Sequence, residues 1–473
     1  MRIKTIATLG PSSLERETMR AMVDNGVRIF RLNFSHGSAD DFRATVETIR
    51  GLERESGIPL TIMGDLSGPK IRIGKLQGPS ADVSQGDSVY LGPPEDAGRM
   101  DDGIFIPLAM PELLHGLTPS SEVALSDGML RFEVERVLEP DRLYLLRALN
   151  SGILTSHKGI TFPGRTVPLA ALTDKDRTDL RTGLDLGIDS FALSFVQGPR
   201  DIEDIREEMR RCGTQVPVIA KLERENAVRS LDAILDASDG VMVARGDLGL
   251  ECPLPSLPVT QKRIIKACRH AQKPVIVATQ MLLSMVHNPL PTRAETTDVA
   301  NAILDGADCV MLSEETAIGS HPVEAVRFIR EIAAHAEQFL LEQLQGPYPP
   351  KKEKNLPKYL AYSACLLAEN TDSRALACHT QSGQTAALLS SRRPAQPIYG
   401  LTPSMRTVRL LNFYWGVRPR WTDDSLPNHL ERVEKFIQEG DLIRSGERVV
   451  ITSGQPTPGQ QERHTNQIKV YYK

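Results

Sequence analysis

Cysteine and aromatic residues are scarce in this chain. Six cysteines in 473 residues, at 212, 252, 268, 309, 365 and 378, form no CxxC pair and no dense framework. That argues against a secreted disulfide scaffold or a structural zinc, and for a reducing, cytoplasmic setting. Aromatics make up 5% and no basic stripe accompanies them, so a nucleic-acid partner has no support. No apolar run reaches the roughly 18 residues of a membrane span, and the opening MRIKTIATLG lacks the apolar core of a signal segment; a soluble chain without a membrane partner is expected. Neither sign of charge dominates. The 56 Lys and Arg against 60 Asp and Glu leave a formal charge of −4, which excludes a global polyanion-binding field but not a local phosphate site. The patterns GxGxxG and GxxxxGK[ST] are missing too, so neither a Rossmann nor a Walker nucleotide site is expected.

What the chain does have is apolar runs at regular intervals. IKTIATLG (3–10), VRIFRLNF (27–34), PLTIMGDL (59–66), DSFALSF (189–195), VPVIAKLE (216–223), DGVMVARGD (239–247), KPVIVATQ (273–280) and DCVMLSEE (308–315) read as strands. Most are separated by helical patterns such as SLERETMRAMVDNG and VTQKRIIKACRHAQ. Strands alternating with helices predict a parallel sheet, and eight in series predict a closed (β/α)8 TIM barrel. The gap after the third run is too long for one helix; its short alternating strands and Gly/Pro/Asp turns predict an inserted small β-barrel lid domain. QGPYPPKKEKNLP reads as a linker, and the remainder of the chain as a smaller α/β domain. The expected boundaries are 1–69 and 167–344 for the barrel, 70–166 for the insert, 345–357 for the linker and 358–473 for the C-terminal unit.

In such barrels chemistry sits at the C-terminal ends of the strands. Those ends carry Arg31, Asn33 and Ser35, then Asp65, Ser194, Lys221 and Glu223, and further on Arg245, Asp247, Thr279, Ser313 and Glu315. Lys221 and Glu223 stand two apart at the end of a buried run, hence on one face of the strand. Buried charges need a partner or a ligand. Glu223 and Asp247 supply the hard oxygens that Mg2+ or Mn2+ prefers. Lys221 offers a compact cation for a transferring phosphoryl group, and Arg31 a planar fork for phosphate. The bland alternatives are a structural Lys221–Glu223 pair, an Arg31 that caps a helix end, and Arg245 closing on Asp247. Taken together, the residues predict metal-assisted phosphoryl transfer or enolate chemistry on a small acid.

These segments also carry a resemblance. ATLGPSS (7–13), VRIFRLNFSHG (27–37), GDLSGPKIRIG (64–74), FALSFV (191–196), AKLE (220–223), DGVMVARGDLGLE (239–251), KPVIVATQMLLSM (273–285), PTRAETTDVANAILDGADCVMLSEETAIGSHPVEAV (291–326) and TQSGQTA (380–386) resemble the pyruvate kinases, in the shorter bacterial form. The resemblance implies transfer of phosphate from phosphoenolpyruvate to ADP, giving pyruvate and ATP. It casts Lys221 and Arg31 as stabilisers of the transferred group, and Glu223 and Asp247 as ligands of one Mg2+, a second arriving with the nucleotide. It implies that backbone amides across Ala244, Arg245, Gly246 and Asp247 hold the substrate carboxylate. Thr279, with Ser313, would lie on the route that protonates enolpyruvate. His36 and Arg72 would serve the nucleotide and phosphate side, and Asp127 and Lys158 would close with the lid.

Two departures from the family pattern stand out. The run Asp65-Leu66-Ser67-Gly68-Pro69-Lys70 places Lys70 where many members have a glutamate that helps build a K+ site. An ammonium there can supply the charge that K+ would bring near Asn33, Ser35, Asp65 and Leu66, so the chain resembles the branch that does not require K+. Glu314 replaces a usual glycine. In the C-terminal unit, Thr380, Ser382, Gly383, Gln384 and Thr385 resemble a phosphate-cradling loop for a sugar-phosphate or nucleotide effector, and the family implies a homo-oligomer, usually a tetramer. Two rivals remain open: a metal-dependent lyase or aldolase acting on phosphoenolpyruvate or pyruvate, and a catalytically silent metabolite sensor.

Overall fold

The computed structural model describes residues 1–37, 39–69, 71–99, 103–126, 128–165, 169–344, 346–351, 354–423, 425–426, 428–454 and 465–473. Eight strands close into the expected parallel barrel: β1 (Lys4–Thr8), β2 (Val27–Asn33), β3 (Thr61–Asp65), β4 (Ser190–Leu193), β5 (Val218–Leu222), β6 (Gly240–Ala244), β7 (Val275–Ala278) and β8 (Cys309–Leu312). Closure is made by β1 against β8, from Lys4 opposite Cys309 to Ala7 opposite Leu312. β1, β3, β4, β6, β7 and β8 are buried at every position. A barrel whose inner face meets its own core and whose outer face meets helices requires this. Ile6, Ile29, Met63, Ile219, Met242 and Ile276 fill the interior. Helices such as Arg16–Asp24, Pro199–Arg211 and Leu257–Ala271 bury Met19, Ile202 and Ile264 against the outside.

Between β3 and the helix Asp174–Asp185 the chain leaves the barrel to build the insert. A six-stranded sheet, ordered Ile160–Thr161, Glu122–Leu125, Leu130–Glu139, Leu143–Ala148, Ser88–Gly92 and Ile104–Pro107, and a two-stranded ribbon (Gly152–Thr155 with Ser80–Val83) wrap one apolar core around Phe132, Tyr144 and Leu146. This is the small β barrel expected between the third and fourth barrel strands. Its two connecting legs run side by side: Ile73 N–H donates to Lys158 O at 2.9 Å and Ile160 N–H to Ile71 O at 3.1 Å. The base of the legs is tied down where Gly68 N–H donates to Asp176 Oδ1 at 3.2 Å. Asp176 also completes the capping box with Thr173 that starts the next helix.

The C-terminal unit holds a five-stranded sheet in the order Val417–Trp421, Ile398–Thr402, Ala375–His379, Arg448–Ser453 and Gln467–Tyr472, the last strand antiparallel. The run MRTVRLLNFYWGV is helical only over Met405–Leu411. The turn after that helix sends Phe413, fully buried, into the core at the N-terminal end of the barrel. Among the described residues no helix is long and apolar enough to cross a membrane.

Candidate active site

Lys221 and Glu223 sit at the end of β5, two positions apart in the chain and on the same side. Lys221 Nζ lies 2.8 Å from Glu223 Oε1, 3.2 Å from Asp65 Oδ1 at the end of β3, and donates to Ser194 Oγ at 2.7 Å. Ser194 in turn donates to Leu66 O at 2.7 Å. Arg31, from β2, reaches the same Asp65 with Nε at 2.7 Å and Thr8 Oγ1 with Nη1 at 3.1 Å. Arg31 therefore does not cap a helix; it belongs to this cluster. Burial alone would push the Asp65 carboxyl up, but Lys221 and Arg31 more than reverse that and hold it below the usual range. Burial pulls Lys221 down, and Asp65 with Glu223 outweighs it, so the ammonium is held protonated above its ordinary value. Lys221 is a fixed cation at neutral pH.

A cavity of about 350 Å3 opens over this cluster, between the barrel mouth and the insert. It gathers residues expected at the site: Arg31, Asn33, Ser35, Asp65 and Leu66 from the β2 and β3 ends, Lys221 and Glu223 from β5, and Asp247 from the helix Arg245–Glu251. Arg72 and Lys158 arrive from the two paired legs of the insert, which is why residues so far apart in sequence share one wall. Asn33 Oδ1 accepts from Ser35 N–H at 3.1 Å, and Ser35 Oγ donates to Ser67 Oγ at 2.9 Å. Glu223 is oriented by Phe195, whose N–H donates to Oε2 at 2.8 Å. Phe195 holds φ at +57° to do so, a conformation that a bulky residue adopts only under constraint.

Other expected residues do not line this cavity. Ala244 ends β6, and Gly246 N–H donates to Thr279 Oγ1 at 2.8 Å while Thr279 Oγ1 donates to Ala278 O at 2.6 Å. Thr279 has φ +67°, so the end of β7 is held in a strained turn against the helix that begins at Arg245. Arg245 does not close on Asp247. Its Nη1 bonds Asp298 Oδ1 at 2.7 Å and its Nη2 donates to Thr279 O at 2.9 Å, which turns it to the neighbouring groove. Ser313 N–H donates to Glu315 Oε2 at 2.7 Å; Glu315 also accepts from Leu282 N–H at 2.9 Å and so braces the β7 and β8 ends. Glu314 begins the short helix Glu314–Ala317. His36 is exposed on the turn after β2. Lys70 and Asp127 lie outside the described residues.

The phosphate-loop candidates are remote, in the C-terminal sheet. Thr380 Oγ1 accepts from Gly383 N–H at 3.0 Å, Gly383 takes φ +90° before the helix Gln384–Ser390, and Thr385 Oγ1 lies 3.0 Å from Thr465 Oγ1. Ser382 and Gln384 are exposed.

Two charged cavity residues escaped the sequence reading: Arg224 and Glu251. A signal existed for each. Arg224 is a cation that directly follows Lys221-Leu222-Glu223, and Glu251 ends the acidic run GDLGLE.

Comparison with known proteins decides the family. Residues 1–326 match the pyruvate kinase barrel domain, and residues 358–471 match the pyruvate kinase alpha/beta domain. The chain belongs to the pyruvate kinase family. It is 40% identical over 477 residues to a pyruvate kinase of Agrobacterium vitis, covering 99% of this chain and 96% of that protein. It is 40% identical over 459 residues to pyruvate kinase 2 of Synechocystis sp., covering 96% of this chain and 76% of that protein. The crystal structure of a pyruvate kinase from Cryptosporidium parvum superposes with a TM-score of 0.89 at 31% identity, covering 100% of this chain and 96% of that one.

Among the described residues no group of three or more His, Cys, Asp and Glu side chains is arranged to hold a metal. Glu223 and Asp247 do line one cavity together. Two carboxylates suit a cation that keeps waters and takes phosphate oxygens as further ligands, so this donor set fits Mg2+ better than it fits zinc.

Proposed function

We propose that this protein transfers the phosphoryl group of phosphoenolpyruvate to ADP, giving pyruvate and ATP, at the cavity between barrel mouth and insert. The observation that carries the reading is the Lys221 ammonium, largely covered and held charged between Asp65 and Glu223 inside a cavity lined by Arg31, Arg72 and Lys158. A phosphoryl group in transfer spreads negative charge over its equatorial oxygens, and fixed cations in a dry site stabilise that charge without reorganising.

In this reading Lys221 and Arg31 face the transferred group from the barrel floor. Arg72 and Lys158 approach from the insert legs, so closure of the insert would bring the nucleotide phosphates to the acceptor position and keep water out. Mg2+ held by Glu223 and Asp247, with a second ion on the nucleotide, would supply further positive charge to the phosphoryl oxygens. The amide of Gly246 and its neighbours would orient the substrate carboxylate. Thr279 and Ser313 would pass the proton from water to the enolate carbon once the phosphate has left. Control by a phosphorylated effector at Thr380–Thr385 and assembly as a homotetramer belong to the same reading.

The test is the initial rate of pyruvate formation from phosphoenolpyruvate, ADP and Mg2+ in a tetraalkylammonium buffer free of K+, then with K+ added. Turnover in both is the expected result and supports Lys70 as the built-in cation. Turnover only with K+ keeps the kinase and removes the role given to Lys70. Pyruvate release without ADP favours the lyase, and absence of turnover in folded protein, with or without sugar phosphate, favours the sensor.

A further inference from the structure

Arg224 has no place in the phosphoryl-transfer chemistry, yet it is one of the most deeply placed cations of the cavity. It follows β5 directly and turns the chain into the helix Glu225–Arg229. The residue is 4% exposed, and its Nε and Nη1 have no hydrogen-bond partner. Among the described residues its acid partner is Glu251, whose Oε1 stands 3.9 Å from Nη1, beyond hydrogen-bond reach, and its guanidinium lies 5.1 Å from the centre of the Phe195 ring. Nε and Nη1 carry three of the five donors of a guanidinium, and leaving them unmade when buried is costly. A side chain kept in that state calls for an acceptor that arrives from elsewhere.

The surroundings say what kind. Arg224 shares the cavity wall with Glu223, its neighbour in sequence, and with Asp247, the two carboxylates that fit a divalent cation. An anion drawn to that cation comes to rest beside Arg224. Phe195, over which the guanidinium stacks, also donates its N–H to Glu223. One strained residue thus fixes both the carboxylate and the arginine.

We propose that Arg224 is a further substrate-recognition residue: with the cavity filled, its guanidinium donates to an oxygen of the anionic three-carbon acid bound beside Glu223 and Asp247, and with the cavity empty it rests between Phe195 and Glu251. This rests on the reading of the cavity as the phosphoenolpyruvate site. It predicts that Arg224 selects for the doubly anionic acid and contributes little toward ADP, whose contacts come from the insert legs.

The experiment compares wild type, Arg224→Met, Arg224→Lys and Glu251→Gln by steady-state kinetics, and by calorimetric titration with phosphoenolpyruvate and Mg2+ without ADP. Arg224→Met is expected to raise the KM and the Kd for phosphoenolpyruvate about 10- to 100-fold, as for loss of a charge-assisted hydrogen bond. The KM for ADP should change much less, and Arg224→Lys should recover part of the loss. If Arg224 serves only to hold Glu251, then Glu251→Gln would weaken phosphoenolpyruvate binding as much as Arg224→Met, and the inference falls. Unchanged KM and Kd in Arg224→Met overturns it while the kinase reading stands. Wild type that binds phosphoenolpyruvate through Arg224 without ADP-dependent turnover overturns the kinase reading and keeps the inference.

Discussion

The two ends of the barrel bury charge in opposite ways. At the N-terminal end, Asp308 pairs with Arg393 at 3.0 Å, and Asp189 is clamped by Arg50 at 2.7 Å and Arg409 at 2.9 Å. Asp308 also accepts from the N–H of Trp415 at 3.1 Å, and Arg393 donates to Gly306 O at 2.7 Å. Phe413 and Trp415 shut the space between. At the mouth, Asp65, Glu223 and Lys221 are as well paired, but they line an open cavity with Arg224 left over. Burial wins at the closed end, where Asp308 and Asp189 are both pushed above the usual carboxylate range despite their arginines. At the mouth two cations hold Asp65 below it. A buried ion pair is therefore no mark of a functional site by itself. What marks the site is charge facing a void.

Substitutions at each end can break this contrast. The largest effect is expected at the mouth: Lys221→Gln should lower kcat by about 10^3-fold or more, as for loss of a preorganised charge at a transition state. Circular dichroism checks that the protein remains folded. At the closed end, Arg393→Met leaves Asp308 buried without its cation. Urea unfolding should report a loss of about 3–5 kcal/mol, while the KM values of the folded enzyme stay near wild type. A matching fall in kcat would mean that the two ends are coupled.

The smallest effect sharpens the contrast through pH. Glu251 is pushed up to about 7, first by burial and then by the nearby charges of Glu225 and Asp247, with Arg224 opposing. Its folded value lies above its unfolded one, so the stability it contributes is complete below the unfolded value and is lost as pH rises through about 7. Glu251→Gln should therefore melt higher than wild type near pH 8, by up to about 3 kcal/mol, with the difference closing toward pH 4. A pH-independent difference would mean that Glu251 is not the titrating group.

How much of this was legible depends on the range of each interaction. The barrel strands were legible because a strand buried on both faces must be apolar along its length, as in Gly240–Ala244 or Val275–Ala278. Lys221 and Glu223 were legible as one unit because alternation puts them on one side of β5. The partners of Arg245 and Arg31 were not, since Asp298 and Asp65 reach them only through the packing of other elements. Arg224 follows Glu223 directly in the chain, but the depth of its burial depends on distant elements. Nothing local to it records that Phe195 and the end of Arg245–Glu251 would cover it.

The sequence by itself determined the period of the elements, the eight-fold series, the interruption after β3 and the residue types at the strand ends, because each depends on neighbours a few positions away. Only the tertiary structure decided which of those charges meet. Closing β1 onto β8 sets the ends of β2, β3 and β5 around one axis, and pairing the insert legs delivers Arg72 and Lys158 to the same wall. Plugging the far end with Phe413 leaves the mouth as the open end. Charges hundreds of residues apart become neighbours there because the backbone geometry of a closed barrel permits few other arrangements.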